Sequence, residues 1–357
     1  MSQIEQLWYT RCPAPTPFGI AIQQGWLEDE FRAEGWDIKA LQDASDPQIR
    51  NSHYTHSQPH SFRQGGNIPA LWARAQGADT RVVGLSWVDE FQGLIALPSA
   101  GIAHPEQLRG RRVGLPLNTQ TDVVDFHRAT ALRGFSSLLS AAGLTLADVI
   151  LVDLPHAPAN LASKRQNDQQ GPSTLLSGAR GQEFSREALA LVRNEVDVVF
   201  VKGASGLEAA NLVGARPIID LASQPNRLAH ANNGTPRPLT VDAALLRTRP
   251  DVVARVLARA VEAGQWAQAH PDATRAYIGR ETRTAEHWVQ HAYPADLPQQ
   301  LKIDLDPAAI AALGDFKHFL FEHRFIATDF DVHDWIDRAP LAAAHALLKE
   351  RGVISQT

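Results

Sequence analysis

The chain contains one cysteine, Cys12, in the stretch Thr10-Arg11-Cys12-Pro13-Ala14-Pro15-Thr16-Pro17. Without a second cysteine there is no internal disulfide, and the flanking prolines hold the thiol in extended, poorly hydrogen-bonded backbone. Such a thiol is free to act as a nucleophile or a proton donor. A buried small hydrophobe is the commoner fate of a free cysteine. A second stretch, residues 51–69, holds His53, Tyr54, His56, His60, Arg63, Gly65 and Gly66 and reads as an irregular loop entering a helix. Asn67 suits the N-cap, Pro69 the first turn and residues 70–75 the helix body. The N–H groups of Gly65 and Gly66 then lie beside a helix N-terminus, where negative charge is favoured, and Arg63 adds a two-pronged donor. Taken singly, a tight turn and a surface salt bridge explain these residues. Taken together they predict an anion site next to a thiol.

Three further groups bear on that site. His53, His56 and His60 are spaced closely enough for zinc, but Pro59 interrupts them and neither a carboxylate nor a second cysteine joins them. No metal is expected. Tyr54, Phe62, Trp87 and Phe91 are either an aryl-binding wall or ordinary core. Lys202, at a predicted strand end, is a candidate second contact to the anion, set against the usual solvated lysine.

The elements that must position these residues alternate between strand and helix. Strands are predicted over residues 4–10, 37–41, 80–88, 91–98, 112–117, 148–154, 197–202 and 217–221, with helices over 18–31 (broken near Gly25), 68–75 and the later part of 118–139. This alternation argues for an α/β protein with parallel sheets and helical crossovers. The character changes near Gly114, and the chain returns through Pro238-Leu239-Thr240-Val241-Asp242. One lobe is therefore expected from residues 1–113 and 237–357, and a second from 114–236. Residues 251–270 form the strongest helix, with Val253, Val256, Leu257, Ala260, Val261 and Gly264 as an apolar core-facing stripe. Residues 166–181, rich in Gln, Ser and Gly, read as an exposed loop.

With 34 Lys and Arg against 39 Asp and Glu, the net charge is −5 and no basic face for nucleic acid is implied. No apolar run approaches a membrane span. Residues 1–5 carry neither a positive start nor an apolar segment of the signal-peptide kind, so a cytoplasmic location is expected. There is no phosphate-binding or dinucleotide-type glycine motif, and no cofactor is implied.

The succession Cys12-Pro13-x-Pro15, His53-Tyr54-Thr55, Gln58-Pro59 and Arg63-x-Gly65-Gly66-x-Ile68-Pro69 resembles the aryl-sulfinate desulfinases of dibenzothiophene desulfurisation. Gly25-Trp26-Leu27-Glu28, Glu34-Gly35-Trp36-Asp37-Ile38, residues 214–221 and Ala263-Gly264-Gln265-Trp266-Ala267 are similar to that family as well. The resemblance implies a two-lobed type II periplasmic-binding-protein-like fold, shared with periplasmic sulfonate- and nitrate-binding proteins, with the site in the cleft between lobes. It further implies a catalytic Cys12 supported by His53 and Arg63, with Gly66 as a backbone donor and Thr10 in place of a family serine. The implied ligand is a small organosulfur anion, and the implied partner an upstream flavin-dependent monooxygenase. Residues 200–206 depart from the family's tryptophan-rich, biaryl-lining stretch. With Lys202 there, a smaller or more polar sulfinate is expected.

Cleaving an aryl carbon–sulfur bond needs a proton at the ring carbon while sulfur leaves as sulfur dioxide, which water converts to sulfite. A thiol can deliver that proton, or a thiolate can attack sulfur and form a covalent intermediate that water resolves. In both routes Arg63 and the Gly65 and Gly66 amides hold the sulfinate oxygens and His53 orients the thiol. Two other functions share the fold: a non-catalytic sulfonate- or sulfinate-binding protein of the ABC-transporter kind, with Cys12 a passenger, and a relative of thiamine-pyrimidine synthesis.

Overall fold

The computed structural model describes residues 6–119, 122–156 and 183–353, so residues 166–181 lie outside the described part. The chain divides into two compact units. The first comprises Met1–Val88, Asn233–Tyr277 and Asp296–Thr357, and the second Asp89–Asn232 and Ile278–Ala295.

The first unit is built on five strands in the order β2-β1-β3-β10-β4. These are β1 (Gln6–Arg11), β2 (Asp37–Ala40), β3 (Ser61–Gln64), β4 (Thr80–Ser86) and β10 (Arg237–Asp242). β1 runs parallel to β2 and β3, whereas β10 is antiparallel to both β3 and β4. The second unit repeats the plan as β7-β6-β8-β5-β9, with β5 (Gln92–Ala96), β6 (Arg112–Asn118), β7 (Ile150–His156), β8 (Val198–Lys202) and β9 (Arg216–Asp220). Here β6 is parallel to β7 and β8, and β5 is antiparallel to β8 and β9.

Both sheets are therefore mixed, where the alternating pattern predicts parallel ones. The reversed strands are β10 in the first sheet and β5 in the second, and each is the first strand after the chain passes from one unit to the other, so neither is reached by a helical crossover within its own sheet. β5 also moves the boundary. The sequence places the start of the second unit at Gly114, but β5 pairs only with strands of the second sheet, and that unit begins at Asp89. It also takes in residues 278–295, which the sequence assigns to the first lobe.

The helix Pro250–Ala269 packs in the first unit against Pro17–Gln23 and Ala339–Glu350. Of its predicted stripe, Val253, Val256, Leu257, Ala260 and Gly264 are buried and Val261 is half-buried. Among the described residues no helix is long and apolar enough to cross a membrane.

Beside this packing, the Glu30 carboxylate receives Arg255 Nε at 2.7 Å, Arg259 Nε at 2.7 Å and both terminal nitrogens of Arg351 at 2.7 and 2.9 Å. Burial raises the Glu30 pKa, but hydrogen bonds from Arg351 and Arg255 and the charges of Arg351 and Arg259 outweigh it and hold it at about 2. A folded-state pKa below the unfolded value stabilises above about pH 4.5, and that stabilisation is lost as pH falls towards 2. Glu30→Gln is expected to cost about 1–3 kcal/mol at pH 7 after discounting for solvent screening, and to flatten the acid limb of stability. Urea unfolding at pH 7, 5, 4 and 3 checks this; parallel wild-type and variant curves across that range would contradict it.

Candidate functional site

The end of β1 supplies the thiol. Leu7 is buried in the core and Thr10 is nearly inaccessible, and the prolines at 13, 15 and 17 stop the strand so that Cys12 follows it half-buried. The parallel register of β1 on β3 sets Thr10 opposite Arg63 and Arg11 opposite Gln64. Continued by one step, it brings Cys12 against Gly65. The approach is close: a Cβ built on Gly65 would stand 2.2 Å from Cys12 Sγ. Glycine is required there because any side chain would occupy the place of the sulfur.

The histidine-bearing stretch is more ordered than the sequence predicts. Instead of an irregular loop, Pro47–Thr55 forms a helix and Ser61–Gln64 forms β3. Asp46 caps the helix, its carboxylate accepting from Gln48 N at 2.8 Å, and Pro47 takes the first position. The Asp-Pro pair announces this helix in the sequence; the histidines behind it draw attention away from the signal. The helix carries His53 to Thr10, with Nδ1 and Oγ1 3.3 Å apart, and sets the Tyr54 ring edge-on to His53 at 4.6 Å.

Arg63 comes from the middle strand of the sheet and is almost wholly buried, at 4% exposure, so it is no surface salt bridge. Its Nη1 donates to Gly66 O at 2.7 Å and its Nη2 lies 4.0 Å from Cys12 Sγ. Its Nε is enclosed and has no hydrogen-bond partner among the described residues. Nε and Nη2 form one edge of the guanidinium plane, on which Nη2 is turned to the thiol and Nε meets no acceptor among the described residues. Burial lowers the Arg63 pKa from its ordinary value, against the opposing influence of Cys12 and Tyr54. Burial raises that of Tyr54, with Cys12 adding to the rise and Arg63 opposing it. His56 is driven well below its ordinary 6.5 by burial and by the charges of Arg63 and His53.

The helix after Arg63 runs over Asn67–Ala75, and its N-cap is Gly66 rather than the expected Asn67. Asn67 Nδ2 donates to Pro236 O at 3.0 Å, and the capping acceptor is Asn233 Oδ1, which takes Ile68 N at 3.3 Å. A Cβ on Gly66 would come within 2.4 Å of that oxygen. A residue 165 positions away thus covers part of the predicted anion-binding helix end, and nothing local in the sequence announces it. Cys12, Thr10, His53, Tyr54, Arg63, Gly65 and Gly66 all belong to the first unit.

Lys202 belongs to the second unit, where its Nζ lies 2.6 Å from Glu90 Oε1 in a pair with little exposure on either side. With its charge met by a carboxylate, Lys202 no longer supports a preference for a second anionic substituent. Of the four candidate aromatic residues, Tyr54 lies in the Cys12 and Arg63 cluster. Phe62 packs in the core on Phe18, and Trp87 and Phe91 are buried. Among the described residues no three His, Cys, Asp or Glu side chains assemble as a metal-ligand set.

No family model matches the chain. It is 27% identical to the 2'-hydroxybiphenyl-2-sulfinate desulfinase of Rhodococcus erythropolis, over 93% of this chain and 91% of that protein. Over 28% of its length it is 29% identical to a putative aliphatic sulfonates-binding protein of Bacillus subtilis. In fold it is similar to a desulfurization enzyme crystallised as a cysteine-to-serine variant with biphenyl-2-sulfinic acid: TM-score 0.71, 23% identity, 96% of this chain and 99% of that one. The periplasmic aliphatic sulphonate binding protein of Escherichia coli follows at TM-score 0.60 and 16% identity, over 95% and 93% of the two chains. The resemblance to the desulfinases thus extends over nearly the whole chain, and the fold is that of the periplasmic sulfonate-binding proteins.

Proposed function

We propose that the protein is a cysteine-dependent desulfinase that cleaves the carbon–sulfur bond of an aromatic sulfinate and releases sulfite. The observation that carries this reading is the pairing of the chain's one thiol with a buried arginine whose Nε has no acceptor among the described residues. A sulfinate laid with its oxygens on Nε and Nη2 of Arg63 places its sulfur and ring carbon beside Cys12 Sγ. The overall change is an aryl sulfinate plus water giving the arene and hydrogen sulfite. In one route the thiol proton passes to the ring carbon, sulfur dioxide leaves, and its hydration returns a proton to the thiolate. In the other the thiolate attacks sulfur, the aryl carbanion leaves and takes a proton, and water splits the sulfur–sulfur bond to give thiol and sulfite. Thr10 and Tyr54 flank His53 and fix its position.

Incubation with benzenesulfinate and a colorimetric sulfite assay tests the reading; no sulfite from any of a panel of aryl sulfinates would sink it. The second reading is a non-catalytic binding protein for a sulfonate or sulfinate, favoured by the fold shared with sulfonate-binding proteins. It predicts binding of such anions with no release of sulfite.

His53 is expected to tune the thiol without replacing it. His53→Gln keeps a hydrogen-bonding group near Thr10 but removes the titrating imidazole, so activity should fall by less than with Cys12→Ser and the pH–rate profile should change shape. A wild-type rate and profile in this variant would make His53 structural.

A further inference from the structure

His56 takes no part in the chemistry described above, yet it stands in the same cluster. It follows the helix Pro47–Thr55 with φ 52°, and its backbone N–H closes the helix on Ser52 O at 2.9 Å. Its ring atom Nε2 is enclosed and has no hydrogen-bond partner among the described residues, as is true of Arg63 Nε. Native proteins rarely leave such atoms unmet, and where they do a ligand or a water completes them. One of the two belongs to a buried cation whose charge acts on the other's ring.

The charges that act on the ring are those of Arg63 from β3 and of His53 from its own helix. None of these is a carboxylate, so an anionic acceptor has to come from outside this set. Burial and the neighbouring charges keep the imidazole neutral near pH 7. A neutral imidazole with its proton on Nε2 donates a hydrogen bond without adding charge.

We propose that His56 is an anion-binding residue, donating from Nε2 to an oxygen of the anion held on Nε and Nη2 of Arg63, directly or through one water. The identity of the anion as a sulfinate rests on the function proposed above; the hydrogen bond itself does not depend on catalysis.

The test is calorimetric titration of Cys12→Ser protein with benzenesulfinate and with benzenesulfonate, in three forms: His56 intact, His56→Gln and His56→Leu. Glutamine keeps an N–H donor near the position of Nε2, whereas leucine keeps volume and loses the donor. A hydrogen bond to a charged group predicts that leucine weakens binding by roughly ten- to a hundredfold and that glutamine recovers most of the loss. His56→Phe serves if the leucine variant does not fold. Binding in the leucine or phenylalanine variant equal to that with His56 intact would overturn the proposal. So would equal weakening by glutamine and leucine, since a merely structural role does not distinguish a donor from its absence. Sulfite release by protein with Cys12 intact separates this inference from the reading it rests on: anions bound with no sulfite released would remove the enzyme and leave His56 to be judged by the titrations.

Discussion

Cys12→Ser is expected to reduce sulfite release from benzenesulfinate by at least about a thousandfold, the scale on which removing a nucleophile or proton donor acts. Both chemical routes fail together. A serine hydroxyl is far too weak an acid to protonate the ring carbon at neutral pH, and its alkoxide is inaccessible for attack on sulfur. The fold should be untouched, because Cys12 is half-buried after the end of β1 and the change removes no core volume. Binding of benzenesulfinate should persist, since Nε and Nη2 of Arg63 remain and the smaller oxygen relaxes the close contact with Gly65. Steady-state sulfite assays and a calorimetric titration on the same preparation check the two halves of the claim. A serine variant with wild-type turnover would make Cys12 a passenger and favour a different chemistry; one that neither turns over nor binds would show that the sulfur also shapes the site.

Arg63→Lys should be the next most damaging change, lowering kcat/KM by roughly 30- to 150-fold, or about 2–3 kcal/mol. Lysine keeps the charge but offers no planar edge. The guanidinium makes two kinds of contact at once: Nη1 donates to Gly66 O at 2.7 Å, while Nη2 lies 4.0 Å from Cys12 Sγ. An ammonium in the same buried place cannot serve Gly66 and present two parallel donors to a two-oxygen anion. The loss should therefore appear in the affinity of the Cys12→Ser, Arg63→Lys double variant for benzenesulfinate as well as in turnover. Arg63→Met, which leaves the anion without a counter-charge in a buried site, should bind less tightly still. An Arg63→Lys enzyme with unchanged kcat/KM would show that the fork is not used.

Much of this site is legible along the chain because its signals are local. Proline fixes φ and denies a hydrogen bond, so the stop after β1 and the placing of Cys12 beyond the strand's end follow from Pro13, Pro15 and Pro17 by sterics alone. Arg63, Gly65 and Gly66 are near neighbours in sequence, and so are His53 and Tyr54. The helix over Pro47–Thr55 is a local signal overlooked in favour of the histidines. What is not legible depends on partners brought from far away. Asn233 takes the cap expected of Asn67, and Glu90 neutralises Lys202 from 112 positions upstream. A short polar side chain carries no local mark of the distant group it will meet.

The sequence by itself determined the chemical inventory: one thiol after a strand, one arginine before a glycine pair, an α/β alternation and the resemblance to the desulfinases. Tertiary structure decided which of these act on one another. The pairing of β1 with β3 sets Thr10 opposite Arg63 and carries Cys12 on to Gly65. It also decided that β5 belongs to the second sheet and that Arg63 is buried with its Nε unmet among the described residues. The reason lies in what specifies each level. Backbone sterics and turn chemistry act over a few residues and can be read from them, whereas strand register and the burial of a charge are set by the whole sheet. A register slipped by one residue would turn Arg63 to the opposite face of the same strand, with every local signal unchanged.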